Sequence, residues 1–135
     1  MFRRLGRTGL GVSPIALGAM GFGPPTKVEQ AENLVRAAVD RGINLIDTAN
    51  CYDGPNRSEC IAGHSEQMLG TILAGSLRDE VVLLSKLGVP LRAGPQHRGL
   101  SATQPLQELD ASLGRLQKHH LDARTRPCPK PIRHA

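Results

Sequence analysis

Three side chains in this sequence have the types and the spacing for proton-transfer chemistry. Asp47 ends the short apolar run Asn44-Leu45-Ile46, and Tyr52 follows in the loop behind it. Lys86 stands at the end of a second apolar run, Val81 to Leu84. Tyr52 is the only tyrosine in the chain, and there is no tryptophan. A free phenol, with a pKa near ~10, is too weak an acid to release its proton readily at neutral pH. An ammonium beside it favours the phenolate. A carboxylate beside the ammonium keeps that group charged and in place. Gathered at one point, the three make a general acid that works near neutrality. Each also has a plainer reading. An aspartate at a strand end is a common turn former or helix cap. A single tyrosine can pack half-buried with its hydroxyl on water. A lysine at a strand end can be a solvated surface charge.

For the three to meet, the chain must bring two strand ends side by side. The first dozen residues, around Gly6 and Gly9, read as a small hairpin or an irregular lead-in, and Ile15-Ala16-Leu17 reads as a short strand. Gly18, Gly21 and Gly23 follow as G-x-x-G-x-G and run into Pro24-Pro25. A dinucleotide fingerprint needs G-x-G-x-x-G opening into a helix, so a Rossmann reading is rejected. Thr26 and Glu29 form a capping-box pattern, which predicts a helix burying Val28, Ala31, Leu34, Val35, Ala38 and Val39. Gly42 closes it. The segment Ile43-Asn44-Leu45-Ile46-Asp47 is the second strand, followed by a long irregular stretch from Thr48 to His64. Ser65 is expected to cap a second helix with Met68, Leu69, Ile72 and Leu73 inward, ended by Gly75. Val81 to Leu84, which does not alternate, reads as a strand buried on both faces. After a Gly/Pro-rich loop over 88–99, Ser101 and Gln104 suggest another capping box. The helix behind it is expected to bury Leu106, Leu109, Leu113 and Leu116.

Strands alternating with helices over short connections imply βαβ units and a parallel sheet. In a parallel barrel, functional groups gather at the C-terminal strand ends, where Asp47 and Lys86 fall. His119-His120-Leu121-Asp122 would open a fourth strand. Pro127, Pro129 and Pro131 follow closely, and proline is excluded from central strands, so that strand is expected not to develop.

Composition narrows the function classes. The net charge of +5 resembles that of a nucleic-acid binder. Of the 17 basic residues, Arg124, Arg126, Lys130 and Arg133 lie beyond Asp122, where there is no acid. The preceding 122 residues carry 13 basic and 12 acidic groups and are nearly neutral. With aromatics at 2%, neither a basic stripe nor a stacking surface is present, which excludes nucleic acid as a partner. No run approaches the ~20 apolar residues of a membrane span, and the N-terminus lacks an apolar signal core, so a cytoplasmic location is expected with no membrane partner. Three cysteines do not make a disulfide framework in such a compartment. Cys51, Cys60 and His64 do not match the usual close spacing of zinc ligands, so no metal is expected.

Several stretches resemble the aldo-keto reductase family. "RRLGRTGLGVSPIALGAMGFG" is similar to its opening hairpin and first strand, "GINLIDTANCYDG" to its Asp-and-Tyr motif, and "SEQMLG" to the helix after it. "RDEVVLLSKLG" resembles its lysine strand and "LQELDASLGRLQKHHLD" the helix before its fourth strand. The resemblance covers residues 3–122. It implies an α/β fold, namely a partial (β/α)8 TIM barrel of about the first three to four βα units with an N-terminal hairpin. It implies an oxidoreductase that reduces aldehydes or ketones, a small-molecule carbonyl substrate, with NADPH. Tyr52 would be the general acid, Lys86 the group that eases its ionisation, and Asp47 the partner of Lys86. Gly18, Ala19 and Met20 match a cofactor-side loop, and Asp47 would also lie near the nicotinamide.

Two departures accompany the resemblance. The segment from Gly54 to His64 is longer than the family's link. The family's catalytic histidine would fall where this chain has Pro127, and His119, His120 and His134 match no motif. The expectation is therefore a truncated reductase domain over 1–122 and an unrelated, disordered Arg/Pro-rich tail over 123–135. The fragment is expected to be inactive and to self-associate or aggregate. A catalytically dead fragment or a regulatory or binding subunit of the same descent is the alternative.

Overall fold

The structure is a computed structural model, and it describes residues 1–53, 63–87 and 104–125. Strands β1 (Arg3–Arg4) and β2 (Gly11–Val12) pair antiparallel as a small hairpin. Four strands then form one parallel sheet in the order β3 (Ala16–Gly18), β4 (Leu45–Asp47), β5 (Val82–Lys86) and β6 (Ala123–Thr125). Helix α1 (Val28–Asp40) links β3 to β4, α2 (His64–Ile72) lies between β4 and β5, and α3 (Gln104–Leu116) between β5 and β6. A 3-10 turn over Ser76–Glu80 leads into β5.

The core lies between the sheet and the helices. Ile46 and Leu83 project from adjacent strands in register and pack with Ala31 and Val35 of α1, Leu69 and Ile72 of α2, and Leu116 of α3. Alternation along a strand sends neighbouring residues to opposite faces. Burial in β5 alternates accordingly, with Leu83 and Ser85 buried and Val82, Leu84 and Lys86 half-buried. The expectation that this strand is buried on both faces is thus corrected: among the described residues, one face carries helices and the other is half-buried.

Several expected caps are replaced by others. Thr26 does not cap α1. Its hydroxyl donates to the Gly21 carbonyl at 3.0 Å, and Gln30 Oε1 instead accepts the Lys27 N–H at 3.1 Å. Gly42, at φ +79°, ends α1 as expected. Its N–H donates to Val39 O and the Ile43 N–H to Ala38 O, the paired bonds of a Schellman motif. Ser65 is not the cap of α2 but lies inside it. Gly63 precedes that helix at φ 62°, and Asp53 Oδ1 accepts the His64 N–H at 3.0 Å. Ser101 lies outside the described residues.

Two expected faces shift. Leu34 of α1 is 49% exposed. Helix α3 buries Gln104, Glu108, Ser112 and Leu116, while Leu106 is 65% exposed. A strand also forms where none was expected. β6 pairs with β5 in the register Leu84↔Ala123, Ser85↔Arg124 and Lys86↔Thr125. Its described residues run to Thr125, and Pro127 lies outside the described residues. The long segment after Tyr52, the 88–99 loop and the tail from residue 126 lie mostly or wholly outside the described residues.

Candidate active site

Register sets the first half of the site. Gly18, Asp47 and Leu84 are direct partners across three parallel strands. Lys86 stands two residues beyond Leu84, so its side chain leaves the same face as that of Asp47. Interstrand bonding continues past the end of β4. The Thr48 N–H donates to Leu84 O at 2.9 Å, and the Asn50 N–H to Lys86 O at 3.4 Å. The chain then turns back, with the Tyr52 N–H on Ala49 O at 3.2 Å. That turn returns Tyr52 towards the strand ends.

The three expected catalytic residues meet. Lys86 Nζ donates to Asp47 Oδ1, to Tyr52 Oη at 3.0 Å and to the Thr48 carbonyl at 3.4 Å. It also lies 4.8 Å from the centre of the Tyr52 ring, within cation–π range. Burial disfavours the ammonium. The hydrogen bonds to Asp47 and Tyr52, followed by their negative charge, outweigh that penalty and raise the Lys86 pKa above its ordinary 10.5. Lys86 is therefore a permanent cation at any physiological pH. Because it donates to the phenol oxygen, the Tyr52 hydroxyl proton is left to point at something else. This is the geometry of a proton donor backed by a fixed positive charge.

The glycine-loop residues divide. Ala19 is fully buried, and both of its backbone groups are engaged. Its N–H donates to Asp47 O at 2.8 Å, and its carbonyl accepts from Phe22 N and from Ser65 Oγ. Gly18 and Met20 are exposed, and a Cβ added at Gly18 would meet nothing within 4 Å. The open side of the strand ends is therefore formed by Gly18, Met20, Asp47 and Tyr52, with Ala19 behind them. Among the described residues, no group of three or more His, Cys, Asp or Glu side chains is placed to hold a metal ion.

Sequence reasoning missed the groups that hold this arrangement from behind. Asn44 Oδ1 accepts the Ser13 N–H at 2.7 Å and its Nδ2 donates to Gly11 O at 2.9 Å, which ties the hairpin to β4. Ser65 shares a hydrogen bond of 2.8 Å with Thr48 Oγ1. Glu66 is fully buried against Ser85 and Arg115. The available signal was a charged residue at a helix position otherwise turned inward, between Ser65 and Leu69.

Comparison with known proteins agrees with this architecture. The Aldo/keto reductase family model matches residues 14–134. The uncharacterized oxidoreductase YrpG of Bacillus subtilis (strain 168) is 40% identical over 136 residues, covering 90% of this chain and 40% of that protein. Two solved structures, described as an aldo-keto reductase from Pseudomonas aeruginosa, are 35% identical with TM-scores of 0.75 and 0.76. Each covers 93% of this chain, which spans 46% and 45% of theirs. The fold is thus part of a (β/α)8 barrel, and the chain spans less than half the length of these relatives. With the family's model matched over residues 14–134, the chain belongs to the aldo/keto reductase family.

Proposed function

We propose that this chain carries the acid–base part of an oxidoreductase site that reduces aldehydes or ketones with NADPH. The observation that supports this most is the single ammonium of Lys86 bonded to both Asp47 and the Tyr52 oxygen. In this reading Tyr52 delivers its proton to the carbonyl oxygen of the substrate. Lys86 stabilises the phenolate that remains, and Asp47 holds Lys86 in line. The residues present fit the nicotinamide end of the cofactor: Gly18 leaves open space beside the Asp47 carboxylate, and the exposed Met20 borders it. Ala19 shapes that edge from behind. The cofactor, when bound, supplies the hydride to the carbonyl carbon. No helix among the described residues is long and apolar enough to cross a membrane, and we place the reaction in the cytoplasm.

A second reading is favoured by Pro127, which stands where the family resemblance expects a histidine. In that reading the 135-residue chain keeps the site geometry without turnover, as a silent or regulatory relative. We propose that the isolated chain is of this inactive kind. The test is oxidation of NADPH in the presence of a small aldehyde, for the chain and for Tyr52→Phe, with cofactor fluorescence read on mixing. Equal, background-level rates in both support the inactive form. Carbonyl reduction that disappears in Tyr52→Phe overturns inactivity and leaves the acid role standing. Reduction that persists unchanged in Tyr52→Phe sinks the acid role itself.

A further inference from the structure

The first turn of α2 carries two side chains that the acid–base chemistry does not use. Ser65 and Glu66 are both 0% exposed. A carboxylate at that depth is costly unless a counter-charge and hydrogen bonds satisfy it. Glu66 has both. Arg115 Nε of α3 donates to its Oε2 at 2.7 Å, and Ser85 Oγ of β5 donates to its Oε1 at 2.6 Å. Arg115 also reaches Ser112 Oγ at 3.3 Å. Ser65 Oγ donates to the Ala19 carbonyl at 2.7 Å and shares its 2.8 Å bond with Thr48. The Ser65 N–H donates to the Tyr52 carbonyl at 2.9 Å.

The contacts that Ser65 and Glu66 make outside the helices share one property: each falls on a member of the site or on its immediate neighbour in the chain. Ala19 follows Gly18, Thr48 follows Asp47, Tyr52 is the acid itself, and Ser85 precedes Lys86. Successive strand residues face opposite sides of the sheet. A clamp on Ser85 from the helix side therefore sets the direction in which Lys86 leaves the other side. One turn of helix thus fixes both partners of the contact between Lys86 and Tyr52, one through Glu66 and one through Ser65.

We infer that the Ser65–Glu66 turn, with Arg115 as its counter-ion, is the positioning device that sets the Lys86–Tyr52 distance. The inference rests on the acid–base reading of that contact. Glu66 touches none of the reacting atoms and is a positioning residue. A purely structural role, holding α2 to α3, makes a different prediction. It would lower stability without altering how strongly Lys86 acts on Tyr52.

The lone tyrosine makes the difference measurable in the full chain. The pH midpoint of its phenolate absorption band is recorded with and without Lys86→Met, and the difference between the two midpoints is the Lys86 effect. That effect is then measured again in the Ser85→Ala and Glu66→Gln backgrounds, with folding checked by circular dichroism. As a control, Leu77→Ala removes buried apolar atoms away from this turn. The expected result is a fall in the Lys86 effect from about tenfold in proton affinity to about threefold or less in both backgrounds, the non-additivity of coupled residues. Leu77→Ala is expected to lower the melting temperature and leave the Lys86 effect whole. A full-sized Lys86 effect in folded Ser85→Ala overturns the inference, and so does an equal loss in Leu77→Ala. If Glu66→Gln does not fold, Ser85→Ala decides alone, because it leaves the Glu66–Arg115 pair intact. If Lys86→Met moves nothing in the otherwise unmodified chain, the acid–base reading has failed and this inference falls with it.

Discussion

Replacing Lys86 by methionine removes one charge, keeps most of the stem, and tests the centre of the proposed site. Lys86 Nζ lies 3.0 Å from Tyr52 Oη. A unit positive charge at that distance from a phenolate is worth about 1.4 kcal/mol even at the dielectric constant of bulk water. That is about a tenfold change in proton affinity, or about one pH unit. The true screening is weaker than in bulk water, because the Lys86 side chain is only 19% exposed and that of Asp47 32%. The expected difference between the two chains is therefore about one unit. The assay is the ultraviolet absorption of the phenolate band followed against pH. With one tyrosine and no tryptophan, the whole signal belongs to Tyr52. The midpoint in Lys86→Met should lie above that of the parent chain by about one unit. An exposed cation on α1 provides the comparison. Arg36 is already paired with Glu32 on the surface, and Arg36→Met should move the midpoint little, since distant surface charges are screened. A Lys86→Met midpoint equal to or below the parent value would refute the electrostatic account of the site.

Other perturbations follow from the same structure. The Lys86 pKa is raised by Asp47 and Tyr52 against burial, so the stability it contributes is in full below the ordinary 10.5 and is lost as pH rises through the raised value. Asp47→Asn should shrink that alkaline loss, seen as a smaller difference in melting temperature between neutral pH and pH values above about 10.5; an unchanged difference would count against the pairing. Gly70→Ala would place a methyl 2.7 Å from Arg115 O and 2.8 Å from Leu116 C. Because those are backbone atoms, α2 and α3 must separate, at about 1–3 kcal/mol in denaturant unfolding, and a neutral result would show that the helices do not pack this closely. Strands β3 and β6 end the sheet among the described residues, and such edges template association. Size-exclusion chromatography should show elution that shifts with concentration, whereas a monomer unchanged on dilution would contradict the expectation.

The order of elements was legible because each carried a local signal. The 3.6-residue period of α1, the left-handed glycine at position 42 and the apolar runs of β4 and β5 depend on residues close in sequence. Asp47, Tyr52 and Lys86 were legible for a related reason: strand ends are where a parallel sheet collects functional groups. The caps were less legible. Ser65 looked like a helix cap because serine often is one. Its hydroxyl instead found Ala19 and Thr48, the first of them 46 residues away in the chain. Asp53, which receives the His64 N–H, is separated from it by the segment after Tyr52. A hydrogen bond that closes across such a segment leaves no periodic trace.

The rotated face of α3 and the unexpected strand β6 have a common cause. Leucine spacing placed residues 106, 109, 113 and 116 inward, but the structure buries Gln104, Glu108, Ser112 and Leu116. Hydrophobic period reports burial only where polar side chains would lack partners inside. Here partners are present: Gln104 Nε2 donates to Glu108 Oε1 at 2.9 Å and Arg115 reaches Ser112 Oγ at 3.3 Å within α3, and further charges face it from the sheet. β6 sets Arg124 directly beside Ser85 in register, on the helix side of the sheet. Burial lowers the Arg124 pKa, and the charges of Glu66 and Glu108 oppose that change. Arg115 faces Glu66 from α3 itself. Two arginines and two glutamates thus share the space beneath the helices, and a helix that turned its leucines inward would strand those charges. An arginine assigned to a tail gives no reason to expect buried acids on α3. Once Arg124 belongs to a strand, Glu66 and Glu108 have a reason to face inward, and the half-exposed leucines follow.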